Sequence, residues 1–441
     1  MSARGLRDLV AWADAADIAI HTLEVSVAGR VVARGGIPPF GLDTPHRMYS
    51  VSKSLTGLAI LLLAEEGRLR LTDGIAAHFP EMAPVHPWIE ATRIDDILAM
   101  TGPHSRTTYD EATPGWLESY FRVPPTHRPG TLFTYDTSGS YVLSALVERL
   151  SGMPLLEYLR PRLLDPLGIG TTARFLTGPE GISHGGSGLI MAPRDLLPIA
   201  EVLNGGGRRN GRLVLSESVV AQLLERRSDP ATQTWGGALR AGYARQVWLP
   251  GDGTWMMFGL GGQIVYGDPA RELAAVVTAD TSTLVGGDQR FAEMLLQDLA
   301  TTPDAVELAP PTPVHDSAHA EEIRSAFALM TGEDAPAEVA VGVDADGGRV
   351  RWGAGPVLEF STSGSTVARM PLGDAVLTAG WSSRGVLDIR VSAVGDDIAS
   401  VRLRLVSTQD DVLTVMSQGF GPAIDASWTW RGSYRRASSP T

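Results

Sequence analysis

The stretch that decides the fold is Arg47-Met-Tyr-Ser50-Val-Ser-Lys53-Ser-Leu-Thr-Gly57. It places Ser50 and Lys53 in a Ser-x-x-Lys arrangement at the start of an apolar run, which predicts a helix over residues 50–66. Residues three apart share one face of a helix, so the hydroxyl and the amine are expected to be neighbours. Ser50 would also lie at the positive end of the helix dipole, where an oxyanion is favoured.

Lys53 is the only lysine among the 37 lysine and arginine residues of the chain. GC-rich coding explains a general preference for arginine, but it does not explain why one lysine is kept beside a serine. Arginine stays protonated at any working pH, whereas a desolvated lysine can lose its proton and act as a base. The pair therefore predicts nucleophilic catalysis, with Ser50 as nucleophile and Lys53 as proton acceptor.

The composition excludes several classes of function. A net charge of −13 disfavours binding to nucleic acid, and the absence of cysteine excludes disulfides, thiolate catalysis and cysteine zinc sites. The N-terminus does not read as a secretory signal, and the longest apolar run, residues 58–64, is too short to span a bilayer. We therefore expect a cytoplasmic protein without membrane association, and neither a metal nor an organic cofactor is implied.

Residues 1–300 are predicted to form an α+β catalytic domain. A β-hairpin is expected over 21–35. Helical periodicity predicts short helices over 6–16 and 94–100. The other expected helices are 141–151, 155–164, 193–204, 216–226 and 290–299, and the expected strands are 243–249, 262–266 and 273–278.

The remaining chain is predicted to hold a linker and a second domain. Residues 301–317 contain four prolines and are interpreted as the linker. A short helix is expected over 321–330, and beyond it the hydrophobic period drops to two, which favours a small all-β barrel or sandwich over 318–441. The expected strands are 338–343, 349–352, 357–361, 387–391, 401–406, 412–416 and 426–430.

A second motif is Pro129-Gly-Thr-Leu-Phe-Thr-Tyr135-Asp-Thr137, which lies just before the helix expected at 141–151. Together with the Ser50–Lys53 segment, it resembles the motifs of class C β-lactamases and the penicillin-binding-protein-like serine hydrolases. The resemblance implies that Tyr135 is the catalytic tyrosine and shares the proton shuttle with Lys53. Thr137 stands where these families usually have asparagine, and a hydroxyl cannot fully replace an amide.

The third motif of this superfamily, Lys/His-x-Gly on a strand edge, is matched by Gly259-Leu-Gly-Gly-Gln263. Leu260 replaces the cation that helps to hold a substrate carboxylate, a charge-assisted contact worth about 1.5–3 kcal/mol. Gly261 and Gly262 still permit close backbone approach. The resemblance implies that the backbone amides of Ser50 and Gln263 form the oxyanion hole. The carboxylesterase and 6-aminohexanoate-dimer hydrolase branch tolerates loss of this cation.

The resemblance covers residues 20–300 and implies a β-lactamase/transpeptidase-like domain, an antiparallel sheet flanked by helices with a helical subdomain. The β module after it resembles the lipocalin-like domains appended to some of these hydrolases. A glycine-containing stretch, His184-Gly-Gly-Ser-Gly-Leu189, also fits the family. His104, His184 and Trp255 are further candidates for the substrate pocket, although a purely structural role is open for each of them.

Three functions fit these motifs. The first is a serine hydrolase that cleaves an ester or amide of a small molecule through a Ser50 acyl-enzyme. The second is a transacylase that passes the acyl group to an amine or alcohol. The third is an inactive binding protein of the same fold, which the substitutions at Thr137 and Leu260 favour. The sequence leaves open the substrate, the oligomeric state, and whether Lys53 or Tyr135 is the general base.

Overall fold

The computed structural model describes residues 5–232, 236–251, 253–301, 306–311, 313, 315–408 and 410–437. Helices and strands alternate up to residue 301, and strands dominate after it. The helices are α1 (Leu6–Ala15), α2 (Val51–Glu65), α3 (Pro87–Glu90), α4 (Ile94–Leu98), α5 (Trp116–Arg122), α6 (Thr137–Ser151), α7 (Leu155–Leu159), α8 (Pro193–Asn204), α9 (Glu217–Leu224) and α10 (Gly287–Leu299).

The strands fall into one group before residue 301 and one after it. The first group is β1 (Ala19–Val27), β2 (Arg30–Gly36), β3 (His46–Tyr49), β4 (Arg174–Phe175), β5 (Leu189–Met191), β6 (Arg208–Arg209), β7 (Arg212–Leu213), β8 (Trp248–Gly251), β9 (Thr254–Gly259), β10 (Gln263–Asp268) and β11 (Leu273–Asp280). The second is β12 (Ile323–Glu333), β13 (Glu338–Val343), β14 (Gly347–Trp352), β15 (Val357–Ser361), β16 (Ser365–Met370), β17 (Gly373–Ser383), β18 (Val386–Val394), β19 (Ile398–Ser407), β20 (Val412–Phe420) and β21 (Trp430–Arg436).

An antiparallel six-stranded sheet, ordered β2-β1-β11-β10-β9-β8, is the centre of the first part. Successive residues of a strand face opposite sides. Val276 of β11 accordingly joins the core beneath α2, α6 and α8, while Val277 joins the core beneath α1 and α10. Because both faces are covered by helices, β11 is buried along its whole length. This is the β-lactamase/transpeptidase-like architecture that the sequence predicts.

Helix α2 is the central helix of the first part, with buried side chains from Val51 to Leu63. A helix that is apolar on nearly every side is stable only inside a core, and α2 packs against α6 and α9. Gly57 permits the close approach of the segment before β8, since a Cβ there would lie 3.0 Å from the Arg245 carbonyl oxygen. The burial fixes the position of the α2 N-terminus, where Ser50 lies.

The second part is a ten-stranded antiparallel sheet, ordered β15-β14-β13-β12-β21-β20-β19-β18-β17-β16, that curls into a nearly closed barrel. Its two edge strands are consecutive in the chain, and the Ser361 amide donates to Thr366 Oγ1 across the gap (3.1 Å). The barrel interior is filled by side chains that include Trp352, Trp381 and Trp430. Of the two alternatives left open by the sequence, the barrel is therefore the one found.

Several predicted elements are wrong. Within the helix predicted at 321–330, residues 323–330 instead belong to strand β12, because this segment completes two antiparallel ladders, with β13 and with β21. Residues 426–430 begin as a 3-10 turn, Ala426–Trp428, before β21 starts. The strand expected at 243–249 starts only at Trp248. The sequence does not predict helices α3 and α5 or strands β3 to β7, β9, β16 and β17. Local periodicity fails at these places since long-range pairing selects the conformation.

The outer face of β18 and β19 packs against the first part of the chain through polar contacts. Arg390 and Arg402 form ion pairs with Asp17, and Ser400 Oγ donates to Asp280 Oδ2 (2.5 Å). His21 Nε2 lies 3.1 Å from Ser392 Oγ. In the described part of the chain, no helix combines the length and the apolar character needed to cross a membrane.

Candidate active site

Ser50 and Lys53 meet at the N-terminus of α2, as their spacing predicts. Ser50 is the N-cap residue, and Lys53 Nζ donates to Ser50 Oγ over 2.9 Å. The amine also donates to the Gly186 carbonyl oxygen (2.7 Å) and to Thr137 Oγ1 (3.2 Å). Three acceptors thus orient the Lys53 amine, one of them the proposed nucleophile.

Lys53 is buried, with 1% of its surface exposed, and burial lowers its pKa to about 7. The nearby carboxylate of Asp136 acts in the opposite direction and raises the pKa of Lys53. Burial in turn raises the pKa of Asp136 to about 6, against the hydrogen bonds that Asp136 accepts from Ser138 and Gly139. A lysine with a pKa near 7 is partly neutral at neutral pH and can accept a proton.

Tyr135 also lies beside Ser50. Its side chain is hydrogen-bonded to Ser50, and its ring stacks on Trp248 with 5.5 Å between the centroids. Lys53 Nζ lies 4.9 Å from the centre of the Tyr135 ring. Burial raises the pKa of Tyr135, so the phenol stays protonated at neutral pH. Tyr135 is thus placed to relay a proton, while Lys53 is the group able to accept one.

Thr137 occupies the first turn of α6, which Asp136 caps. Its hydroxyl accepts from Lys53, and its backbone amide donates to Thr107 Oγ1 (3.1 Å). The threonine therefore supplies the single hydrogen bond to lysine that a hydroxyl can provide at this position.

The turn between β9 and β10 lies beside β3, the strand that leads to the proposed nucleophile Ser50 and is called the nucleophile strand below. A Cβ on Gly259 would approach the Met48 carbonyl oxygen to 2.2 Å, so only glycine fits there. Gly261 and Gly262 have positive φ, and their amides donate to Asp288. Leu260 is 48% exposed, whereas Gln263 is fully buried and its side-chain amide donates to the Leu260 and Ala279 carbonyl oxygens.

Comparison with known protein families identifies the family of this chain. The family model described as Beta-lactamase matches residues 21–299. The chain belongs to the beta-lactamase family. The match covers every residue that the motifs predict for the site and confirms the resemblance drawn from them.

Two curated relatives of this beta-lactamase family member are each 26% identical to it. One is an uncharacterized protein of Mycobacterium tuberculosis, aligned over 264 residues, 47% of this chain and 65% of the relative. The chain thus spans about 65% of the length of that relative. The other is 6-aminohexanoate-dimer hydrolase of Paenarthrobacter ureafaciens, aligned over 266 residues, 55% of this chain and 67% of the relative.

Two solved structures share the fold. The octameric penicillin-binding protein homologue from Pyrococcus abyssi has a TM-score of 0.53 at 16% identity, and covers 98% of this chain and 100% of its own. EstCE1, described as a hydrolase with promiscuous acyltransferase activity, has a TM-score of 0.51 at 17% identity, over 65% of this chain and 96% of its own. At these identities the likeness shows the fold alone.

The other predicted pocket residues of this family member divide into near and distant ones. His184 lies near the site, where its Nε2 is 2.9 Å from the Tyr109 hydroxyl. Burial and the charges of Lys53 and Arg47 lower the pKa of His184 to about 3, so it stays neutral. His104 is bound to the Tyr120 carbonyl oxygen (2.9 Å) and Trp255 to Asn204 Oδ1 (2.9 Å), both side chains are buried, and their place in the substrate pocket stays a prediction.

Several residues around Ser50 were not predicted. Asp136 carried no distinctive signal, although it lies between the two motif residues Tyr135 and Thr137. The barrel supplies Asp397, whose Oδ1 accepts from the Tyr49 hydroxyl (3.0 Å) and pairs with Arg47. Nothing in the local sequence marks Asp397, because its contacts depend on how the barrel packs. Among the described residues, no cluster of three or more His, Asp or Glu is arranged to hold a metal ion.

Proposed function

We propose that this protein is a serine hydrolase that cleaves an ester or amide bond through an acyl-enzyme on Ser50. The observation that carries the proposal is the buried Lys53 amine, 2.9 Å from Ser50 Oγ and with a pKa lowered to about 7. An amine in this state can take the serine proton as the nucleophile attacks. In the neutral amine the two N–H groups donate to the Gly186 carbonyl oxygen and Thr137 Oγ1, which leaves the lone pair for the serine proton.

The steps follow from the hydrogen bonds. Ser50 Oγ bonds to the substrate carbonyl carbon while its proton passes to Lys53 Nζ. The bond to the leaving group then breaks, and the leaving alcohol or amine takes the proton from Lys53 by way of the Tyr135 hydroxyl. Water attacks the acyl-enzyme in the same manner, releasing the acid and returning the proton to Ser50. Because the pKa of Tyr135 is raised, we assign the role of base to Lys53.

The oxyanion of the tetrahedral intermediate needs two donors. The Ser50 amide at the N-terminus of α2 is the first. Gln263 is the candidate that the motif implies for the second, but it is fully buried in β10. Since the amides of Gly261 and Gly262 donate to Asp288, we propose the amide of Leu260, the remaining residue of this turn, as the second donor. Replacing the 260 amide by an ester, using an α-hydroxy acid, should lower kcat by about 10²–10³. The same exchange at 263 should lower kcat much less. A larger loss of kcat at 263 than at 260 would instead assign the second oxyanion donor to Gln263.

The substrate is proposed to be uncharged and partly apolar near Leu260. A cavity of about 260 Å³ adjoins this residue, and its lining combines apolar side chains with polar ones: Leu284, Ile398 and Pro422 on the apolar side, Thr281, Ser282, Asp288 and Gln289 on the polar side. Position 260 provides no cation, which disfavours β-lactams and other substrates that carry a carboxylate at this place.

Replacement of Ser50 by alanine tests the proposal. Ser50→Ala is expected to abolish both turnover of p-nitrophenyl esters and labelling by a fluorophosphonate probe. Ser216→Ala is the matched control, because Ser216 also caps a helix, accepting from the Val219 amide. Turnover retained by Ser50→Ala would overturn the mechanism. Absence of labelling in the wild-type protein would favour the inactive binding protein.

Acyl transfer to an amine or alcohol is the second candidate. Acyl transfer shares its first half-reaction with hydrolysis. EstCE1, which has the same fold, is described as a hydrolase with promiscuous acyltransferase activity, and this supports acyl transfer as a candidate. Product analysis with and without added amine or alcohol separates the two. A new ester or amide that replaces the free acid, at an unchanged rate of substrate loss, would identify a transacylase.

A further inference from the structure

The turn between β18 and β19 of the barrel contacts the strand that carries the nucleophile. Asp397 Oδ1 accepts from the Tyr49 hydroxyl (3.0 Å), and the Ile398 amide donates to the same hydroxyl (2.9 Å). The phenol therefore has one acceptor and one donor, both from the barrel. Tyr49 is 4% exposed. Burial and the Asp397 charge raise the pKa of Tyr49, so its hydroxyl stays protonated and donates to Asp397.

Arg47 strengthens the same contact. Residues two apart in a strand face the same side, so Arg47 and Tyr49 of β3 point together to the turn while Met48 enters the core. Arg47 pairs with Asp397, donates to the Ser187 carbonyl oxygen (2.9 Å), and lies 4.8 Å from the centre of the Tyr49 ring. One carboxylate thus binds two side chains of the nucleophile strand.

Tyr49 has an unusual backbone conformation for its residue type. Its φ is +45°, in the left-handed region, and the next residue, Ser50, has φ −70°. A bulky residue adopts this conformation only where its surroundings impose it. Here the backbone reversal directs the chain from β3 into α2 and sets the orientation of Ser50. The side chain that anchors this reversal is held by the barrel.

The same turn also contacts the other side of the reacting centre. A Cβ on Gly261 would lie 2.2 Å from Ile398 Cδ1, so the isoleucine packs directly on the glycine turn that follows β9. Asp397 and Ile398 therefore both contact the segment that carries Ser50, and Ile398 also contacts the turn proposed to hold the oxyanion.

We propose that Asp397 is a positioning residue for Ser50, and that the barrel is thereby a functional part of the active site. Asp397 anchors Tyr49, and Tyr49 holds the left-handed turn that presents the Ser50 hydroxyl and amide. This inference rests on the proposed function for its kinetic consequence. Its structural consequence, that Asp397 restrains residues 47–52, does not depend on activity.

Asp397→Ala and Asp396→Ala form a matched pair for the test. Both residues lie in the same turn, but Asp396 pairs with Arg174 at the surface, where both side chains are about half exposed. Since a misplaced reacting group lowers rates up to about 100-fold, Asp397→Ala should reduce kcat and the rate of fluorophosphonate labelling by about 10- to 100-fold. KM should be unchanged, and Asp396→Ala should behave as the wild type.

Asp397→Asn and Tyr49→Phe separate positioning from folding. Asparagine retains an oxygen that accepts from Tyr49, so Asp397→Asn should recover most of the lost rate. Tyr49→Phe removes the same hydrogen bond and should match Asp397→Ala. The double variant Tyr49→Phe/Asp397→Ala should be no slower than either single one. Rate losses that multiply in the double variant would overturn the inference, as would wild-type kcat in Asp397→Ala.

Amide hydrogen exchange of residues 47–52 provides a readout independent of catalysis. Asp397→Ala should accelerate exchange there, and Asp396→Ala should not. If the wild-type protein is not labelled at all, the proposed function fails, and this measurement still decides the positioning role. Equal exchange in the two variants would contradict it.

Discussion

Lys53 and Asp136 are buried together, and each shifts the pKa of the other. The Asp136 carboxylate raises the pKa of Lys53, while the Lys53 charge lowers the pKa of Asp136. Burial opposes both effects and dominates, leaving the pKa of Lys53 at about 7 and that of Asp136 at about 6. Asp136, which caps α6, thereby also influences the pKa of the proposed base Lys53.

The pH dependence of kcat/KM should report this pair. Neutral Lys53 is the active form, so activity is expected to rise with pH through about 7. Asp136→Asn removes the charge that raises the lysine pKa, so the rise should move to lower pH. Asp425→Asn is the control, because Asp425 also accepts from the backbone and hydroxyl of the serine two residues on. A rise that moves to higher pH, or does not move, would contradict the coupling.

Tyr135→Phe should reduce kcat by about 10²–10⁴, the usual contribution of a positioned proton-transfer group. The ring would keep its stacking on Trp248, so KM and thermal stability should change little. Tyr120→Phe is the control, since the buried Tyr120 hydroxyl has no hydrogen-bond partner among the described residues. Steady-state kinetics on a nitrophenyl ester measures both. Full activity of Tyr135→Phe would exclude the tyrosine from the proton relay.

Gly259→Ala should lower both stability and activity. The added Cβ would meet the Met48 carbonyl oxygen at 2.2 Å, so β9 or the nucleophile strand has to move, at a cost of about 1–3 kcal/mol. Gly170→Ala is the comparison, since a Cβ there meets nothing within 4 Å. Chemical denaturation and ester turnover should show the loss at 259 only. Equal behaviour of the two variants would mean that this close approach is unimportant.

Leu260→Lys should change the preference for substrate charge. A lysine would supply the cation that position 260 lacks, and a charge-assisted hydrogen bond of about 1.5–3 kcal/mol corresponds to roughly 10- to 150-fold in kcat/KM. The gain is expected for esters or lactams carrying a carboxylate and not for their uncharged analogues. Leu260→Met retains the apolar character and should leave the preference unchanged. An equal effect on both substrate types would show that residue 260 does not face the substrate charge.

The local part of the site could be predicted because helix geometry alone brings Ser50 and Lys53 together. Tyr135 and Thr137 required the family resemblance, since they reach Lys53 through tertiary packing. Asp136 stood between them, but neither its burial nor its effect on Lys53 is visible in the sequence. Asp397 could not be found at all, because it lies 348 residues after Tyr49 and reaches it only through barrel packing.

The fold shows the same division between local and distant information. The helix at 193–204 is found with the bounds that its periodicity predicts, and the strands at 338–343 and 357–361 are too. Strand β12 was predicted as a helix, because its pairing with β21 joins segments about a hundred residues apart. The domain boundaries proposed from the Pro-rich segment 301–317 remain a prediction.

Intact-mass measurement of acylation tests the central claim most directly. The wild-type protein, exposed to a fluorophosphonate and to a panel of esters and amides, should gain one adduct, located on Ser50 by peptide mapping. Lys53→Arg keeps a positive charge but offers no base at neutral pH, so it should gain none over the same time. An adduct on another residue, or acylation of Lys53→Arg at the wild-type rate, would contradict the account of Ser50 activated by Lys53.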